Sequence, residues 1–462
     1  MTDPLEKTNP INLLAEHVAG TRLEDIPAAA IGAAKTFLLD TLGVAIAGGG
    51  EDWGRRLPAV AADWGGAGGG EAAVWGTGMR LPAGNAALVN AYLVHCLEYD
   101  CVHEGGTVHA LATILPAAMA FAEREGGIGG GDFLRALVLG MDTAGVMGIS
   151  SKGPMTFFRP ATVGVWGAAA ALCALSGLDS EAAVNVFGNL YGQISGTLQP
   201  HLEGSPLLAM QMGFNARAAL TALDLSRGGL RGPRDVLTGQ YGYFALFEGG
   251  LHAADEVFAT LGSQWQATHF SHKPFPAGRL THGAVDALLR LREAHGLTPE
   301  EVERITVSVP PLVKRLVGRP DLPDPAPAYA RLCLAFVAAS ALRRGRLDVP
   351  DYAPECLRDP ETHALAARIE VVDNGNPDPN AIVPQHVEVR LRGGGSVEQE
   401  MLQVVGSPQA PFSPEENLAK FRRNWGYGAH RLDPEAGTRL IEMVERLETL
   451  ADMRELTALM RP

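Results

Sequence analysis

The stretch Ile26–Ala47, IPAAAIGAAKTFLLDTLGVAIA, decides the class of fold, because its apolar residues recur with the 3.6-residue period of an α-helix. Similar stretches, separated by Gly or Pro, fill most of the first 260 residues. They predict helices at Asn12–Ala19, Ile26–Ala47, Ala83–Glu98, Leu115–Glu123, Gly131–Met147, Gly164–Leu175, Ser180–Ser195 and Ala216–Leu225. Their Ala and Gly faces let helices approach closely, which favours a compact helical bundle.

The pattern changes after Phe270, where alternating residues predict strands. The predicted strands are Glu303–Val309 and Arg368–Val371, with a hairpin formed by His386–Arg392, three glycines and Ser396–Val404. Helical periodicity interrupts and then follows them at Gly283–Ala294, Tyr329–Arg344, Pro414–Phe421 and Pro434–Leu459. The sequence therefore predicts a mainly α protein: a large all-helical domain built from residues 1–270 and 405–462, with an inserted α+β lid domain at residues 271–404.

The balance of charged residues restricts the kinds of molecule that the protein can bind. Lys and Arg number 38 against 52 Asp and Glu, a formal net charge of −14 over 462 residues. Such a surface repels phosphate backbones and so disfavours nucleic-acid binding. A small anionic substrate stays compatible with this charge, because a local cluster of cations can override it.

Cysteine usage and hydropathy indicate a cytoplasmic protein. The five cysteines are scattered without a CxxC pair, which favours a reducing compartment. The N-terminal stretch MTDPLEKTNP has no apolar segment typical of a signal peptide. The longest charge-free apolar run, Val163–Leu178, is shorter than the about 18–20 residues that span a bilayer. We therefore expect no membrane segment.

One polar cluster follows the predicted helix Ala83–Glu98 and ends in a glycine-containing loop. It comprises His95, Glu98, Tyr99, Asp100, His103, Glu104 and His109. Three interpretations are open: a Zn or Fe site built from His and carboxylate ligands, acid–base catalysis in a pocket, or a polar loop with capping carboxylates. The spacing matches no standard metal motif such as HExxH.

A second candidate lies where the composition shifts. The stretch His269–His282 holds Lys273 and Arg279 between Pro and Gly turns. Pockets favour domain seams, and two cations there could pair with the carboxylates of a substrate. The alternative is a solvated basic linker. No P-loop or GxSxG motif occurs, and Gly126–Gly131 has no strand before it, so a dinucleotide-binding loop is not indicated.

Several short segments occur in an order typical of one enzyme family. They are Asn90–Asp100 (NAYLVHCLEYD) with His103–Gly106 and His109, Arg159–Pro160 with Gly164–Ala170 (GVWGAAA), Gly229–Pro233 (GLRGP), Lys273–Pro276 (KPFP), Ala330–Leu332 and Gly406–Pro408. Together they resemble the MmgE/PrpD family, which contains 2-methylcitrate dehydratase, cis-aconitate decarboxylase and iminodisuccinate epimerase. The resemblance covers nearly the whole chain.

The resemblance implies a homodimer that works without metal or organic cofactor, with its pocket between the helical domain and the lid. By position, it places Glu98, Asp100, His109 and Lys273 in that pocket. The chain also departs from the family pattern. Cys101 and Val102 replace an Asp and a Thr, Arg159 replaces a His, Leu208 and Gln211 replace the Lys and His of a K-x-L-H segment, and Phe336 replaces a Tyr.

The reactions of this family share one problem, which is to move a proton at a carbon next to a carboxylate. An imidazole is the natural base, so we expect His109 first and His103 second in that role. Lys273, Arg159 and Arg279 are the expected anion clamp, with Gln211 as a further substrate contact. Glu98 or Asp100 would orient a histidine through its other nitrogen.

The leading hypothesis is a cofactor-independent lyase, of the dehydratase or decarboxylase type, acting on a small di- or tricarboxylate. An epimerase of a dicarboxylate is the runner-up, with His109 and Lys273 as proton-transfer groups on opposite faces. The departures at Leu208 and Phe336 also leave open a member that binds a ligand without catalysis.

Overall fold

The structure is a computed structural model that describes residues 9–65 and 69–462. The prediction that no signal peptide is present concerns the first ten residues, of which 1–8 lie outside the described ranges. The described part of the chain is mainly α with small sheets, as predicted.

The helices cover both ends of the chain. They are α1 (Pro10–Gly20), α2 (Ala28–Gly48), α3 (Asp52–Asp63), α4 (Ala83–His95), α5 (Leu111–Glu125), α6 (Gly130–Ser150), α7 (Arg159–Leu175), α8 (Ser180–Tyr191), α9 (Gln199–Glu203), α10 (Leu207–Arg227), α11 (Tyr243–Phe247), α12 (Ala254–Phe258), α13 (His282–His295), α14 (Pro311–Val317), α15 (Pro327–Ala330), α16 (Leu334–Arg344), α17 (Pro354–Leu357), α18 (Pro360–Ala366), α19 (Pro414–Trp425), α20 (Pro434–Glu445) and α21 (Arg454–Ala458).

The strands form three small sheets. The strands are β1 (Ala72–Ala73), β2 (Arg80–Leu81), β3 (Val102–His103), β4 (Phe270–Ser271), β5 (Val302–Val309), β6 (Ile369–Asp373), β7 (Gln385–Leu391) and β8 (Ser396–Met401). β1 pairs with β2 and β3 with β4. The largest sheet has the order β6-β5-β7-β8, in which only the β5–β6 pair is parallel. The predicted hairpin is confirmed as β7–β8.

Two buried hydrophobic clusters organise the molecule. The first joins the N-terminal helices to α19 and α20, so that Phe421 and Ile441 are buried with residues of α2 and α6. The second lies between the sheet and the helices α13 and α16, and β5 contributes Ile305, Val307 and Val309 to it. Alternate residues of β5 thus face this core, as its sequence pattern indicates. The domain boundaries at residues 270 and 404 stay predictions.

Two predicted helices are interrupted in the structure. The stretch Pro434–Leu459 ends its first helix at Glu445, because the backbone beyond it pairs with the loop before α6. There the Gly130 amide donates to the Leu450 carbonyl at 2.8 Å, and the Met453 amide donates to the Ile128 carbonyl at 2.9 Å. The stretch Tyr329–Arg344 breaks between α15 and α16, at the position of Arg331.

Two helices, α2 and α6, are long and apolar enough to cross a membrane by length and composition. Most of each helix is buried inside the described structure, as in the core helices of many soluble proteins. Their length is therefore weak support for a membrane span, and the expected absence of a membrane segment stays a prediction.

Close packing of α2 on α4 sets the position of the end of α4, where the polar cluster begins. A Cβ atom on Gly48 would lie 2.0 Å from the Leu93 carbonyl oxygen and 3.0 Å from Cys96 Sγ. These contacts are far inside van der Waals distance, so only glycine allows the two backbones to approach in this way.

We expect Gly48→Ala to destabilise the protein by about 1–3 kcal/mol, because the added methyl overpacks the α2–α4 contact. Gly32→Ala, in the same helix, is the matched control, since a Cβ there meets nothing within 4 Å. The control should be neutral or stabilising by up to about 1 kcal/mol through helix propensity. Urea unfolding midpoints measure both effects. Equal midpoints for the two variants would contradict this account of the contact.

Candidate active site

The candidate site lies on the segment that joins α4 to α5. His95 is the last residue of α4, and the chain turns away from the helix through Glu98, whose φ is 51°. Thr107 has a φ of 52°, and among the described residues no other non-glycine residue adopts such a left-handed conformation. A residue held in this conformation destabilises the fold by about 1–3 kcal/mol, and backbone strain of this kind clusters at functional sites.

The pairing of β3 with β4 brings Lys273 to this segment. The antiparallel register aligns Val102 with Ser271 and His103 with Phe270. Lys273 follows β4 by two residues and therefore meets Glu98, although the two residues are 175 positions apart in the sequence. A close approach between Gly106 and α6 seats the other end of the segment, since a Cβ on Gly106 would lie 3.0 Å from the Gly148 Cα.

An ion pair between two further helices fixes the backbone beside Asp100. Lys420 Nζ of α19 lies 2.7 Å from Asp40 Oδ1 of α2 and donates a hydrogen bond to the Tyr99 carbonyl at 2.9 Å. Both side chains are buried. Because a buried charge without its partner is strongly destabilising, this pair ties the C-terminal part of the chain to the site.

At the centre of the site, the Asp100 carboxylate is shared by two imidazoles. His95 Nδ1 lies 3.1 Å from both Asp100 oxygens, and His109 Nδ1 lies 3.1 Å from Oδ2. The two rings meet edge to face, with centroids 4.9 Å apart. A carboxylate accepts hydrogen bonds but cannot donate them when ionised, so each histidine carries a proton on Nδ1. The expectation that Asp100 orients a histidine is therefore supported by these contacts.

Glu98 and Lys273 form the second part of the cluster. Lys273 Nζ donates to Glu98 Oε2 at 3.1 Å and lies 3.8 Å from Asp100 Oδ1. Glu98 Oε1 in turn lies 3.4 Å from His95 Nε2. Lys273 is fully buried. The ammonium group thus neutralises the two carboxylates. Glu98 also lines the two cavities that lie beside the cluster.

The surrounding charges give His95 and His109 different pKa values. Burial acts to lower the pKa of His95, but the charges of Asp100 and Glu98 outweigh it, and the pKa is raised above its ordinary value. Burial, reinforced by the charge of Lys273, lowers the pKa of His109. Burial opposes ionisation of Glu98, but Lys273 and the imidazoles outweigh it and lower the pKa of Glu98 to about 2. The pKa of Asp100 is also well below its usual range, because His95, His109 and Lys273 outweigh its burial.

Two neighbouring cavities open onto this cluster between the two hydrophobic cores. The His109 cavity, of about 80 Å³, has as polar lining residues His95, Glu98, Glu104, Thr107, His109, His201 and Arg279. Its apolar lining includes Met155, Phe158, Leu198, Leu280, Leu316 and Ile382. The Leu208 cavity, of about 180 Å³, shares His95, Glu98 and Leu332 with it and is also lined by Leu208, Glu51 and Arg331. Each is several times the space that one water occupies, so a small acid fits.

His103, the second choice for the base, takes a structural position. Its Nδ1 accepts a hydrogen bond from the Gly106 amide at 3.0 Å, so its proton lies on Nε2, which donates to Gln266 Oε1 at 3.1 Å. Burial lowers the pKa of His103 to about 4. Both nitrogens are thus occupied away from the His109 cavity, and the expectation of a catalytic His103 has no support in this geometry.

Arg159 and Gln211 lie apart from the cluster. The Arg159 guanidinium pairs with Glu248 at 2.8 Å and donates to the Gly153 carbonyl. Gln211 Oε1 accepts from the Thr197 amide at 2.6 Å. The expectation that Arg159 and Gln211 contact substrate therefore has no support in this geometry, because both side chains bind neighbouring loops and neither lines the two cavities.

The cations of the expected anion clamp already have partners in the structure. Arg279 does line the His109 cavity, but its guanidinium binds Glu104 at 2.6 Å and donates to the carbonyls of His272 and Val405. Lys273 is bound to Glu98, as described above. Each of these cations already has a carboxylate partner, so they shape the site without offering a free positive charge.

The departures from the family pattern fall in different environments. Val102 and Leu208 line the two cavities. Cys101 is buried beside the Asp40–Lys420 pair, which acts on its charge. Phe336 is buried in the second core, against Tyr352 and His363. Only the changes at Val102 and Leu208 therefore alter the surface that a ligand would meet.

Two residues that contact the cavity were not selected from the sequence as site residues. His95 was part of the polar cluster, and its position at the last turn of an apolar helix was the available signal. His201 lies on the short helix α9 and has no motif around it, so the sequence offers no signal that singles it out.

The metal interpretation rests on the same residues as the acid–base interpretation. His95, Asp100 and His109 are buried and offer ligand atoms that all lie within 4.8 Å of one another. Two imidazoles and a carboxylate suit Zn or Fe. In the present geometry both Nδ1 atoms are engaged with Asp100, so a metal would have to replace these hydrogen bonds.

Comparison with family models gives a match over most of the chain. The model of the MmgE/PrpD N-terminal domain matches residues 12–255, and the model of the C-terminal domain matches residues 275–449. The predicted family resemblance is thereby confirmed.

Similar proteins span nearly the same length as this chain. A cis-aconitate decarboxylase-like protein of Aspergillus oryzae is 28% identical, over 99% of this chain and 98% of its own. The cis-aconitate decarboxylase of Mus musculus is 26% identical, over 96% and 92%. That of Aspergillus terreus is 25% identical, over 95% and 93%. Because decarboxylases are lyases, these relatives confirm the prediction of an enzyme of the lyase class.

The lowered pKa of Glu98 has a measurable consequence for stability. A carboxylate with a depressed folded-state pKa stabilises the fold above its unfolded value, about 4.3, and this contribution is lost as the pH falls toward about 2. Glu98→Gln should therefore be less stable than the wild type at pH 7, with a gap in unfolding free energy that shrinks below about pH 4.5. Urea unfolding between pH 7 and 3 measures the gap.

Glu355→Gln serves as the matched control, because Glu355 is exposed and lies outside the lining of both cavities. A gap for Glu98→Gln that stays constant down to pH 3 would show that Glu98 is not held ionised by Lys273.

Proposed function

The chain belongs to the MmgE/PrpD family, and from this premise we propose that it is a cofactor-independent lyase of the decarboxylase type. Its substrate is a small di- or tricarboxylate, and the reaction is a proton transfer at a carbon next to a carboxylate. The full-length similarity to cis-aconitate decarboxylases supports decarboxylation over dehydration.

The observation that carries the proposal is the shared carboxylate of Asp100. It binds two imidazoles whose pKa values are moved in opposite directions, with His95 raised and His109 lowered. Paired groups with separated pKa values are the usual means by which an enzyme assigns acid and base roles. Both imidazoles line the His109 cavity, where a substrate carbon can reach them.

In the proposed step, the carbon–carbon bond to the departing carboxylate breaks and CO₂ leaves. The electron pair stays on the substrate as an enolate-like anion, and a proton from an imidazole completes the carbon. We assign this proton to His109, because its Nδ1 is fixed on Asp100 and its other nitrogen is left for the cavity. The negative charge of a bound substrate raises the pKa of His109 and so lets it take up that proton from solvent.

The other groups of the cluster support this step without leaving their positions. Lys273 keeps Glu98 and Asp100 ionised, and Asp100 in turn stabilises the protonated His109. The apolar lining of the cavity strips water from the departing carboxylate, which favours release of neutral CO₂. Desolvation of this kind strengthens every interaction in the site.

The runner-up reactions receive less support. An epimerase needs two proton-transfer groups on opposite faces of the substrate, whereas His109 and Lys273 both contact Asp100 from the same cluster. A member that only binds a ligand has no use for two imidazoles with separated pKa values. We therefore keep both as outcomes of the experiments below.

Assembly and location are proposed with the function. The family resemblance supports a homodimer, and the exposed apolar side chains of Leu202, Leu207, Leu246 and Leu251 offer surface for it. The net charge of −14 opposes nucleic-acid binding, and we propose a cytoplasmic enzyme without a membrane partner.

His109→Gln tests the proton donor. We expect kcat for CO₂ release from cis-aconitate, used as the probe, to fall by about 10²–10⁴-fold, the usual contribution of general acid–base catalysis. His386→Gln is the matched control, because this imidazole lies half-buried on β7, beside Glu398 and outside the lining of both cavities. Unchanged turnover in His109→Gln would remove His109 from the mechanism.

The reaction class is distinguished in D₂O with a panel of small di- and tricarboxylates. We expect CO₂ release and one solvent deuterium in the product. Stereochemical scrambling with deuterium uptake and no other change would identify an epimerase, and new ultraviolet absorbance without CO₂ would identify a dehydratase. Tight binding without any turnover or exchange would identify a binding protein.

Chelation tests the absence of a cofactor. We expect activity to survive exhaustive treatment with EDTA or 1,10-phenanthroline, because Asp100 already satisfies both imidazole Nδ1 groups. Elemental analysis of the treated protein provides the control. Loss of activity that Zn²⁺ or Fe²⁺ restores would instead support the metal site at His95, Asp100 and His109.

A further inference from the structure

The cations around the two cavities are almost all neutralised. Lys273 pairs with Glu98 at 3.1 Å, Arg279 with Glu104 at 2.6 Å and Arg331 with Glu51 at 2.7 Å. A substrate that carries carboxylates therefore needs another source of positive charge, since these three groups already have partners.

Arg319 is a cation of a different kind. In the part of the chain that the structure describes, no carboxylate lies within 4 Å of its guanidinium. It donates instead to the carbonyl oxygens of His201 and Leu316, both at 2.9 Å, and its plane lies over the ring of Tyr329, 5.0 Å from the centroid. Its remaining donation, also at 2.9 Å, goes to Nδ1 of the His201 ring.

This contact fixes the tautomer of His201. A guanidinium only donates hydrogen bonds, so Nδ1 of His201 must be the acceptor and the ring proton must lie on Nε2. Within the described residues, Nε2 has no hydrogen-bond partner, and His201 lines the His109 cavity together with Glu98 and His109. Burial and the charge of Arg319 lower the pKa of His201 to about 4, so the ring is neutral at pH 7.

We propose that the Nε2–H group of His201, polarised by Arg319, binds a carboxylate of the substrate in the His109 cavity. Arg319 thereby strengthens the hydrogen bond that His201 can donate into the cavity. An imidazole is a stronger donor when its other nitrogen accepts a hydrogen bond from a cation. His201 is the substrate-binding residue in this arrangement, and Arg319 is its positioning residue.

The position of His201 also bears on specificity. Leu208, where the family resemblance implies a lysine, lines only the neighbouring cavity and offers no charge. A neutral N–H donor held at one place selects a carboxylate at that place, whereas a lysine would attract anions less selectively. This inference rests on the proposed function for the identity of its ligand as a carboxylate of a di- or tricarboxylate.

The test measures binding and turnover separately in the full-length protein. We expect His201→Phe, which keeps the ring and removes the donor, to weaken binding of cis-aconitate or maleate in calorimetry at least tenfold. KM should rise by a similar factor while kcat changes less than threefold. His386→Phe, on the exposed face of β7, is the matched control and should bind like the wild type.

Arg319 is tested by a readout that a merely structural role would not move. The histidine ¹⁵N spectrum of the wild type should contain an Nε2–H tautomer signal that His201→Phe removes and that shifts on addition of maleate. Arg319→Met should change this tautomer signal and weaken binding of maleate. Arg319→Lys can still donate to Nδ1, so it should keep part of the wild-type signal and part of the wild-type affinity.

The failure of this inference is distinct from failure of the proposed function. Wild-type affinity in a folded His201→Phe variant, with turnover intact, would overturn the inference and leave the lyase proposal standing. A wild-type protein that neither binds nor converts any carboxylate of the panel would overturn both.

Discussion

The arrangement of the site depends on one buried carboxylate. Asp100 is fully removed from solvent, yet it accepts hydrogen bonds from two imidazoles and lies 3.8 Å from an ammonium group. An ionised carboxylate is stable in such a place only when its partners compensate for lost hydration. The same partners are the groups to which we assign the proposed chemistry, so the constraint that holds Asp100 in the core also influences the protonation of His95 and His109.

Much of the surrounding structure serves to keep this carboxylate in place. Close packing at Gly48 aligns α2 with α4, whose last residue is His95. The Asp40–Lys420 pair holds the Tyr99 carbonyl from the C-terminal side of the chain. The left-handed conformation of Glu98 is strained, and the ion pair with Lys273 offsets that cost. Groups from three distant parts of the sequence therefore converge on one short segment.

The sequence predicted those features that depend on neighbours in the chain. Helical periodicity found most of the helices, and the alternation in β5 and the β7–β8 hairpin was read correctly. The polar cluster contained Glu98, Asp100 and His109, because these lie close together in the sequence, and both the expected domain seam and the family resemblance indicated Lys273. The sequence offered no sign that Arg159 would pair with Glu248, 89 residues away, or that Arg319 would fix His201, 118 residues away. Long-range partners decide whether a cation is free, and they are set by tertiary packing.

His95 and His109 share Asp100, which favours the charged form of both rings, and the further charge of Glu98 separates their pKa values by raising that of His95. A histidine NMR titration tests this account most directly. With ¹⁵N-labelled histidine, His95 should titrate above the ordinary value of about 6.5 and His109 below it. In Asp100→Asn both pKa values should fall, because the amide no longer favours the charged form of either imidazole. Two histidines that titrate together near pH 6.5 in the wild type, unmoved by Asp100→Asn, would contradict the account.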